Sequence, residues 1–189
     1  MTFVSNLSVA VICSSNMNRS MEAHHFLAKK KYKVRSFGTG DKVKLPGTAV
    51  DKPNVFEFGT PYSEIFEDLA QKDKNYYTQN GLLHMLDRNR RIKLAPERFQ
   101  TCTEQFDVLI TCEERVYDQN RESTSNVPVH VINIDIPDNH EEAVAGAFLI
   151  DDLVSMLAAT SDLDNEIDEV CYSFETENNK NILHCIMFY

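Results

Sequence analysis

Apolar positions along the chain follow two periods in alternation, one suited to buried strands and one to amphipathic helices. The run Leu7-Ser8-Val9-Ala10-Val11-Ile12 is short, β-branched and almost continuously apolar, the pattern of a strand covered on both faces of a parallel sheet. Ser20 to Lys31 follows with strong helix formers, Glu22 in its first turn and lysines in its last, which suits the helix dipole. Lys33 to Phe37 predicts a second strand closed by Gly38-Thr39-Gly40, so residues 7–37 form one βαβ unit with a right-handed crossover. From 41 to 60, Pro46-Gly47 and Lys52-Pro53 break both periods and predict a long irregular connection of the kind that carries binding function. Helices are predicted from Pro61 to Gln71 and from Asn75 to Asp87, the second interrupted by Asn80-Gly81. Alternation then resumes, with strands at 106–111 and 129–134 around a helix at 113–120, amphipathic helices at 141–160 and 163–175, and a terminal strand at 182–189. The expected fold is α/β in three layers: a mostly parallel central sheet flanked by helices, with a small helical insertion at about 44–98 and an extra carboxy-terminal strand, in a single domain over 1–189.

The chain has 189 residues, 42% hydrophobic and 25% charged, enough to bury a core and unlike a fibrous or disordered composition. No apolar run approaches the roughly 20 residues that span a bilayer, and the amino end lacks a basic region before its apolar stretch, so no membrane role is expected. Five cysteines, none in a C-x-x-C pair, point to a reducing compartment. The net charge of −10 is unevenly spread: residues 1–50 carry eight Lys/Arg against two Asp/Glu, and residues 99–189 carry three against nineteen. An acidic whole argues against direct nucleic-acid binding, and a basic amino-terminal segment is suited to hold a local anion. The six histidines show no metal-ligand spacing, and no metal or other cofactor is expected.

Between the first strand and its helix lies Cys13-Ser14-Ser15-Asn16-Met17-Asn18-Arg19-Ser20, a cysteine and an arginine separated by five residues at a helix amino terminus. A loop of this length can turn its backbone N–H groups around one anion, with the helix dipole adding about half a positive charge. Ser14, Ser15, Asn16, Met17 and Asn18 would form this phosphate cradle, in which Asn tolerates left-handed backbone angles. Arg19 offers a planar fork to two phosphate oxygens, and Cys13 sits where that charge favours a thiolate nucleophile. Ser20 is placed to donate a hydrogen bond to the sulfur and steady it as a leaving group. An inert buried thiol is the bland reading of Cys13, and the setting of strand, loop, helix and Ser after Arg weighs against it.

These residues carry a resemblance. Cys-x-x-Asn-x-x-Arg-Ser after an amino-terminal strand, with Ser36-Phe37-Gly38-Thr39 ending the second, resembles the low-molecular-weight protein tyrosine phosphatase fold. A narrower match spans nearly the whole chain. Val34 to Gly40, Val43 to Gly47, Asp51 to Val55, Tyr77 to Gly81, His84 to Asn89, Thr111 to Asp118 and Asp138 to Ala143 resemble the Ssu-type phosphatases of the RNA polymerase II carboxy-terminal domain. The resemblance implies a nuclear enzyme that removes phosphate from the fifth-position serine of the heptad repeat, next to a cis proline, through a phosphocysteine. It also implies work with symplekin and the cleavage and polyadenylation factors of mRNA 3′-end processing. A cis serine–proline bond is a minority form in flexible peptides, so such a site recognises a tight bend.

A serine alkoxide is a poor leaving group and needs a general acid. Asp135 and Asp138 follow the fourth strand of the sheet, at the carboxyl end where sites in open α/β sheets lie. By resemblance Asp138 is the acid and Asp135 a supporting residue, although tyrosine phosphatases of this fold place the acid directly before proline and Pro137 here lies between the two; the bland alternative is that they cap the following helix. Lys44, Leu45, Pro46, Tyr77, Leu83 and Met85, with Asn16 and Met17, are expected to shape the peptide groove, against ordinary core packing for the apolar ones. Arg88, Arg90, Arg91, Lys93 and Arg98 form a basic group suited to a phosphorylated substrate, a partner or simply solvent. Residues 118–128 look short for the family, and the acidic carboxy-terminal third is less similar. Two other functions compete with the phosphatase: an arsenate-reductase-like thiol enzyme using Cys102 or Cys112 as resolving cysteine, and a non-catalytic phosphopeptide-binding scaffold.

Overall fold

A computed structural model of the chain describes residues 6–118 and 126–189. Five strands form the main sheet: β1 (Ser8–Cys13), β2 (Lys33–Gly38), β5 (Val108–Thr111), β6 (Pro128–Asn133) and β7 (Leu183–Phe188), in the order β2-β1-β5-β6-β7. The first four are parallel, and β7 closes the sheet antiparallel to β6. Alternation along β1 explains its near-continuous apolar sequence. Val9, Val11 and Cys13 face a core covered by α1 (Arg19–Lys29), α5 (His140–Ala158) and α6 (Leu163–Asn178), while Ala10 and Ile12 face Phe37, Phe99, Phe106 and Val116 on the other side. Val116 belongs to α4 (Glu114–Asp118); the expected end of this helix at Asn120 and part of the 118–128 connection lie outside the described residues.

The chain winds from β1 outward to β2 and later from β5 outward to β6, so the winding reverses between β1 and β5. Ligand sites in open α/β sheets lie beyond the strand carboxyl ends at such a reversal. Cys13 ends β1 there, and Cys112-Glu113 follows β5 beside it.

The region from 41 to 60 departs from expectation. It contains a two-stranded antiparallel hairpin, β3 (Val43–Leu45) with β4 (Asn54–Phe56). Its strands are three residues long, and turn signals on both sides mask so short a period. The helices also divide differently. α2 runs Tyr62–Gln79 with a kink at Asp73, and Gly81, at φ 83°, starts α3 (Leu82–Ile92). Breakers at 80–81 therefore separate two helices rather than interrupt one. Hairpin and helices share a core of Val43, Leu45, Tyr62, Ile65, Leu69 and Leu86, with Met17 and Met21 of the loop and α1 packed into it.

His24 on α1 is held against β2, its Nδ1 2.8 Å from Ser36 Oγ. Burial, reinforced by Lys93 and Arg35, lowers its pKa to about 4. The unfolded chain, with an ordinary histidine near 6.5, binds more protons between these values, so stability falls as pH drops from about 6.5 to about 4. The thermal midpoint of His24→Gln should fall less over this window than that of wild type; parallel curves would remove His24 from the acid response.

Candidate active site

The loop from Cys13 to Asn18 is tied from outside at its carbonyl oxygens. Thr39 N–H donates to the Cys13 carbonyl at 3.1 Å and Gly40 N–H to that of Ser14 at 2.9 Å. Tyr62, buried on α2, donates its hydroxyl to the Asn16 carbonyl at 2.7 Å. The Met17 carbonyl accepts from Asn89 Nδ2 at 2.8 Å and from Arg88 at 3.1 Å, both on α3. In a planar trans peptide the next N–H points opposite to the carbonyl, and no cis peptide occurs among the described residues. The N–H groups of Ser14, Ser15, Met17 and Asn18 are thereby turned away from these ties, toward the concave side of the loop. Asn16 makes the reversal at φ 53°, with its side chain fixed at both ends: Oδ1 accepts from Glu97 N–H and Nδ2 donates to Ser20 Oγ, each at 3.0 Å.

The Ser20 hydroxyl accepts from Asn16 and lies 3.1 Å from Cys13 Sγ, where it can donate its own hydrogen to a thiolate sulfur. Arg19 is 4% exposed. Its NH1 donates to the carbonyls of Ile136 (3.0 Å) and Cys112 (3.4 Å), and its NH2 to Glu113 Oε1 (3.4 Å). Its Nε is buried, makes no hydrogen bond among the described residues, and lies 3.5 Å from Asp138 Oδ1. Burial disfavours this guanidinium, but the Cys13 sulfur, Asp138, Cys112 and Glu113 outweigh it and raise its pKa. Glu113 in turn accepts from the Ser14 hydroxyl; burial opposes its charge, and Ser14, Arg19 and Arg115 together hold its carboxyl below the usual range.

Asp138 accepts from Asn18 Nδ2 at 3.0 Å and stands 60% exposed at the cleft. Capping of α5 falls to Asn139, which accepts from Glu142 N–H at 3.0 Å, so neither aspartate has that task. Asp135 binds Glu114 N–H at 3.1 Å and Asn133 Nδ2 at 3.0 Å, joining the β6 loop to the start of α4.

A cleft of about 310 Å³ opens over the loop, lined by Cys13, Ser15, Met17, Asn18, Lys44, Leu45, Pro46, Met85 and Asp138, with Asn80, Gly81, Leu82, Asn139 and His140 added. Asn16, whose buried side chain is spent on Glu97 N–H and Ser20, is absent from its wall, and so are Tyr77 and Leu83, expected in the groove with it. The latter two are buried in the core of the insertion, where Tyr77 Oη accepts from Asn54 Nδ2 at 2.9 Å. Because α3 starts at Leu82, its register turns Leu82 and Met85 to the cleft and Leu83 and Leu86 inward.

The basic group is neutralised internally: Arg90 and Arg91 pair with Asp87, Lys93 with Glu97, Arg98 with Asp41 and Arg88 with Glu22. Cys112 lies next to Cys13 across the sheet, its N–H on the Ile12 carbonyl at 3.0 Å, and burial pushes its thiol well above the usual range. Cys102 packs against the opposite face of the sheet.

A loop with its N–H groups turned inward at the winding reversal of a parallel sheet, with a cysteine at the floor of the cleft and a buried arginine behind it, defines an α/β protein whose site suits a phosphate-like group. The Ssu72-like protein family model matches residues 7–189, and the chain belongs to that family. The RNA polymerase II C-terminal domain phosphatase SSU72 of Xenopus laevis is 60% identical over 189 residues, 97% of each chain. The protein of the same name from Homo sapiens is 58% identical over 191 residues, 98% of each. A solved structure of Drosophila melanogaster Ssu72 with Symplekin, bound to a cis peptidomimetic phospho-Ser5 peptide of the C-terminal domain, matches with a TM-score of 0.94 at 60% identity, covering 98% of this chain and 100% of that one.

The end of β2 shapes the cradle directly. A Cβ added at Gly38 would lie 2.7 Å from the Ser14 carbonyl oxygen and 2.8 Å from the Phe58 ring. Gly38→Ala should cost about 1–3 kcal/mol of stability, as overpacking does, and weaken tungstate binding by displacing Ser14 from Gly40. Unchanged melting and tungstate titration would refute this account of the loop.

Proposed function

We propose that this chain is a phosphoprotein phosphatase acting on the carboxy-terminal domain of RNA polymerase II, removing phosphate from the fifth-position serine next to a cis proline through a phosphocysteine. One observation carries the reading: Cys13 Sγ, bonded to Ser20 at 3.1 Å, sits at the floor of a cleft that Asp138 also lines, with Arg19 Nε 3.5 Å from that carboxylate. The family membership and the near full-length relatives named as phosphatases of this domain support the substrate.

The chemistry follows from the geometry. Phosphate oxygens take the inward N–H groups and the free Nε of Arg19, placing phosphorus above the sulfur. The Cys13 thiolate attacks in line, an S–P bond forms, and the serine O–P bond breaks as protonated Asp138 gives its proton to the departing oxygen. Water then attacks phosphorus, Asp138 takes its proton, and the S–P bond breaks to release phosphate. Ser20 steadies the sulfur as it leaves, by the hydrogen bond it already makes. Asp135 acts at one remove by pinning the loop that carries the acid. Met17, Leu45, Pro46 and Met85 supply an apolar wall for the proline bend, with Lys44 at its edge.

The thiol-redox alternative has less support, since Cys102 lies across the sheet and the buried Cys112 thiol is held neutral. On this reading the protein acts in the nucleus, with symplekin and the 3′-end processing factors as partners, a reading supported by the Symplekin-bound relative.

Phosphate release from heptad peptides phosphorylated at the fifth serine, with proline locked cis or trans, tests the reading. Release from the cis form alone is expected, abolished in Cys13→Ser with binding retained. Asp138→Asn should lower turnover roughly 10²- to 10⁴-fold on phosphoserine and far less on an aryl phosphate, whose leaving group needs no acid. Equal release from both isomers, or activity surviving in Cys13→Ser, would overturn it.

A further inference from the structure

We infer that Asn89, fixed by Arg88 and Glu22, is a positioning residue for phosphoryl transfer that links the peptide-reading helix α3 to the phosphate cradle. The inference rests on the phosphatase reading and adds residues that have no contact with the cleft's reacting atoms.

Asn89 is fully buried on α3, and its amide has only one consistent orientation. Oδ1 accepts from Arg88 Nε at 3.1 Å and from Arg88 NH2 at 2.9 Å, so Nδ2 must face the Met17 carbonyl, which it meets at 2.8 Å. Arg88 NH2 reaches the same carbonyl at 3.1 Å. The far side of that guanidinium, NH1, is paired with Glu22, a 7% exposed carboxylate in the first turn of α1. Glu22, Arg88, Asn89 and the Met17 carbonyl thus form one closed chain of hydrogen bonds between α1 and α3.

Its end point is the peptide between Met17 and Asn18. Two donors on one carbonyl hold that plane so the Asn18 N–H faces the concave side of the loop. Asn18 is also the residue whose side chain meets Asp138 and whose carbonyl starts α1, accepting from Glu22 N–H at 2.9 Å. A rotation of this plane would therefore move a cradle donor and the acid's contact together. One helical turn before Asn89 lies Met85, and another before it Leu82, both on the cleft wall. The same rigid helix that meets the peptide thus sets the cradle, so a substrate that shifts α3 is felt at the phosphate.

Removing one preorganised oxyanion donor costs about 10²- to 10³-fold in turnover, and misaiming one should cost part of that. Asn89→Ala and the near-isosteric Asn89→Asp, which replaces the donor by an acceptor, are compared with wild type on an aryl phosphate and on the phosphoserine-5 peptide, with melting curves and tungstate titration. Both variants should lose roughly ten- to a hundredfold in kcat on both substrates, with KM for the peptide changing less than about twofold and tungstate affinity falling in parallel. Asn89→Gln, which keeps the donor, should recover part of the loss. If Asn89→Asp melts like wild type and keeps kcat and tungstate affinity, the positioning role is wrong. If only peptide KM rises, Asn89 shapes the groove and the cradle link fails. If neither variant folds, Arg88→Lys provides the reading: it keeps the charge near Glu22 and loses the fork on Asn89 and Met17, so wild-type kcat in that variant would equally overturn the link. A wild-type protein inactive on both substrates would instead sink the phosphatase reading, a separate outcome.

Discussion

Everything at the site depends on a loop that must present N–H groups to an anion while its carbonyls stay satisfied. A buried carbonyl without a donor costs roughly 1–3 kcal/mol, so a chain cannot turn successive N–H groups one way unless something supplies donors on the other. Here the supply comes from three separate places. The segment just after β2 gives Thr39 and Gly40, α2 gives Tyr62, and α3 gives Arg88 and Asn89. The hairpin and helices between β2 and β5 are thus a functional part of the cradle as well as its outer wall. Met17 and Met21 complete the arrangement from within, burying loop and α1 against that same insertion.

A protein of net charge −10 that binds phosphate needs its positive charge concentrated and fixed. Arg19 meets that need by being surrounded. Its NH1 is committed to two carbonyls and its NH2 to Glu113, which hold the fork in one orientation and leave Nε toward the cleft. Glu113 offsets part of the positive charge, and it also fixes the Ser14 hydroxyl. Arg88, Arg90, Arg91, Lys93 and Arg98 are spent on ion pairs with Glu22, Asp87, Glu97 and Asp41, so the field at the site comes from Arg19, the helix amino terminus, the loop amides and Lys44 at the cleft edge.

The sheet was legible because its strands are covered on both faces, and burial on both faces writes itself as continuous apolar runs such as Val9 to Ile12. The cradle was legible because Cys13, Asn16, Arg19 and Ser20 are close in sequence and their spacing states their geometry. What joins the cradle to the rest was hidden. Tyr62, Asn89 and Glu113 reach it across sequence separations of 46, 72 and 94 residues, in each case through a contact that no local pattern encodes. Leu83 turns inward for a related reason: the helix boundary at Gly81 decides which residues of an apolar stretch face the cleft, and a one-residue change of register exchanges Leu82 for Leu83, while Tyr77, at the end of α2, is drawn into the insertion core beside Asn54.

Asp138, the acid of the proposed mechanism, is held by the same logic as the loop. Ile136 N–H donates to the Cys112 carbonyl at 3.0 Å while its own carbonyl receives Arg19 at 3.0 Å, and its side chain fills the space that Gly146 of α5 leaves open, where a Cβ would lie 2.7 Å from Ile136 Cγ1. Asp135 ties the loop to α4, and Asn139 ends it by capping α5. Between these fixed points Asp138 alone projects into the cleft. Its position is therefore referred to Arg19 twice, through the Ile136 carbonyl and through the carboxylate itself. In the proposed mechanism, a guanidinium that meets the phosphate and orients Asp138 sets the distance between the phosphorus and the proton donor. For an alkoxide leaving group that distance matters more than for a phenolate, because bond cleavage without proton transfer is so much harder. Pro137, lying between the two aspartates, stiffens the segment over which this distance is set.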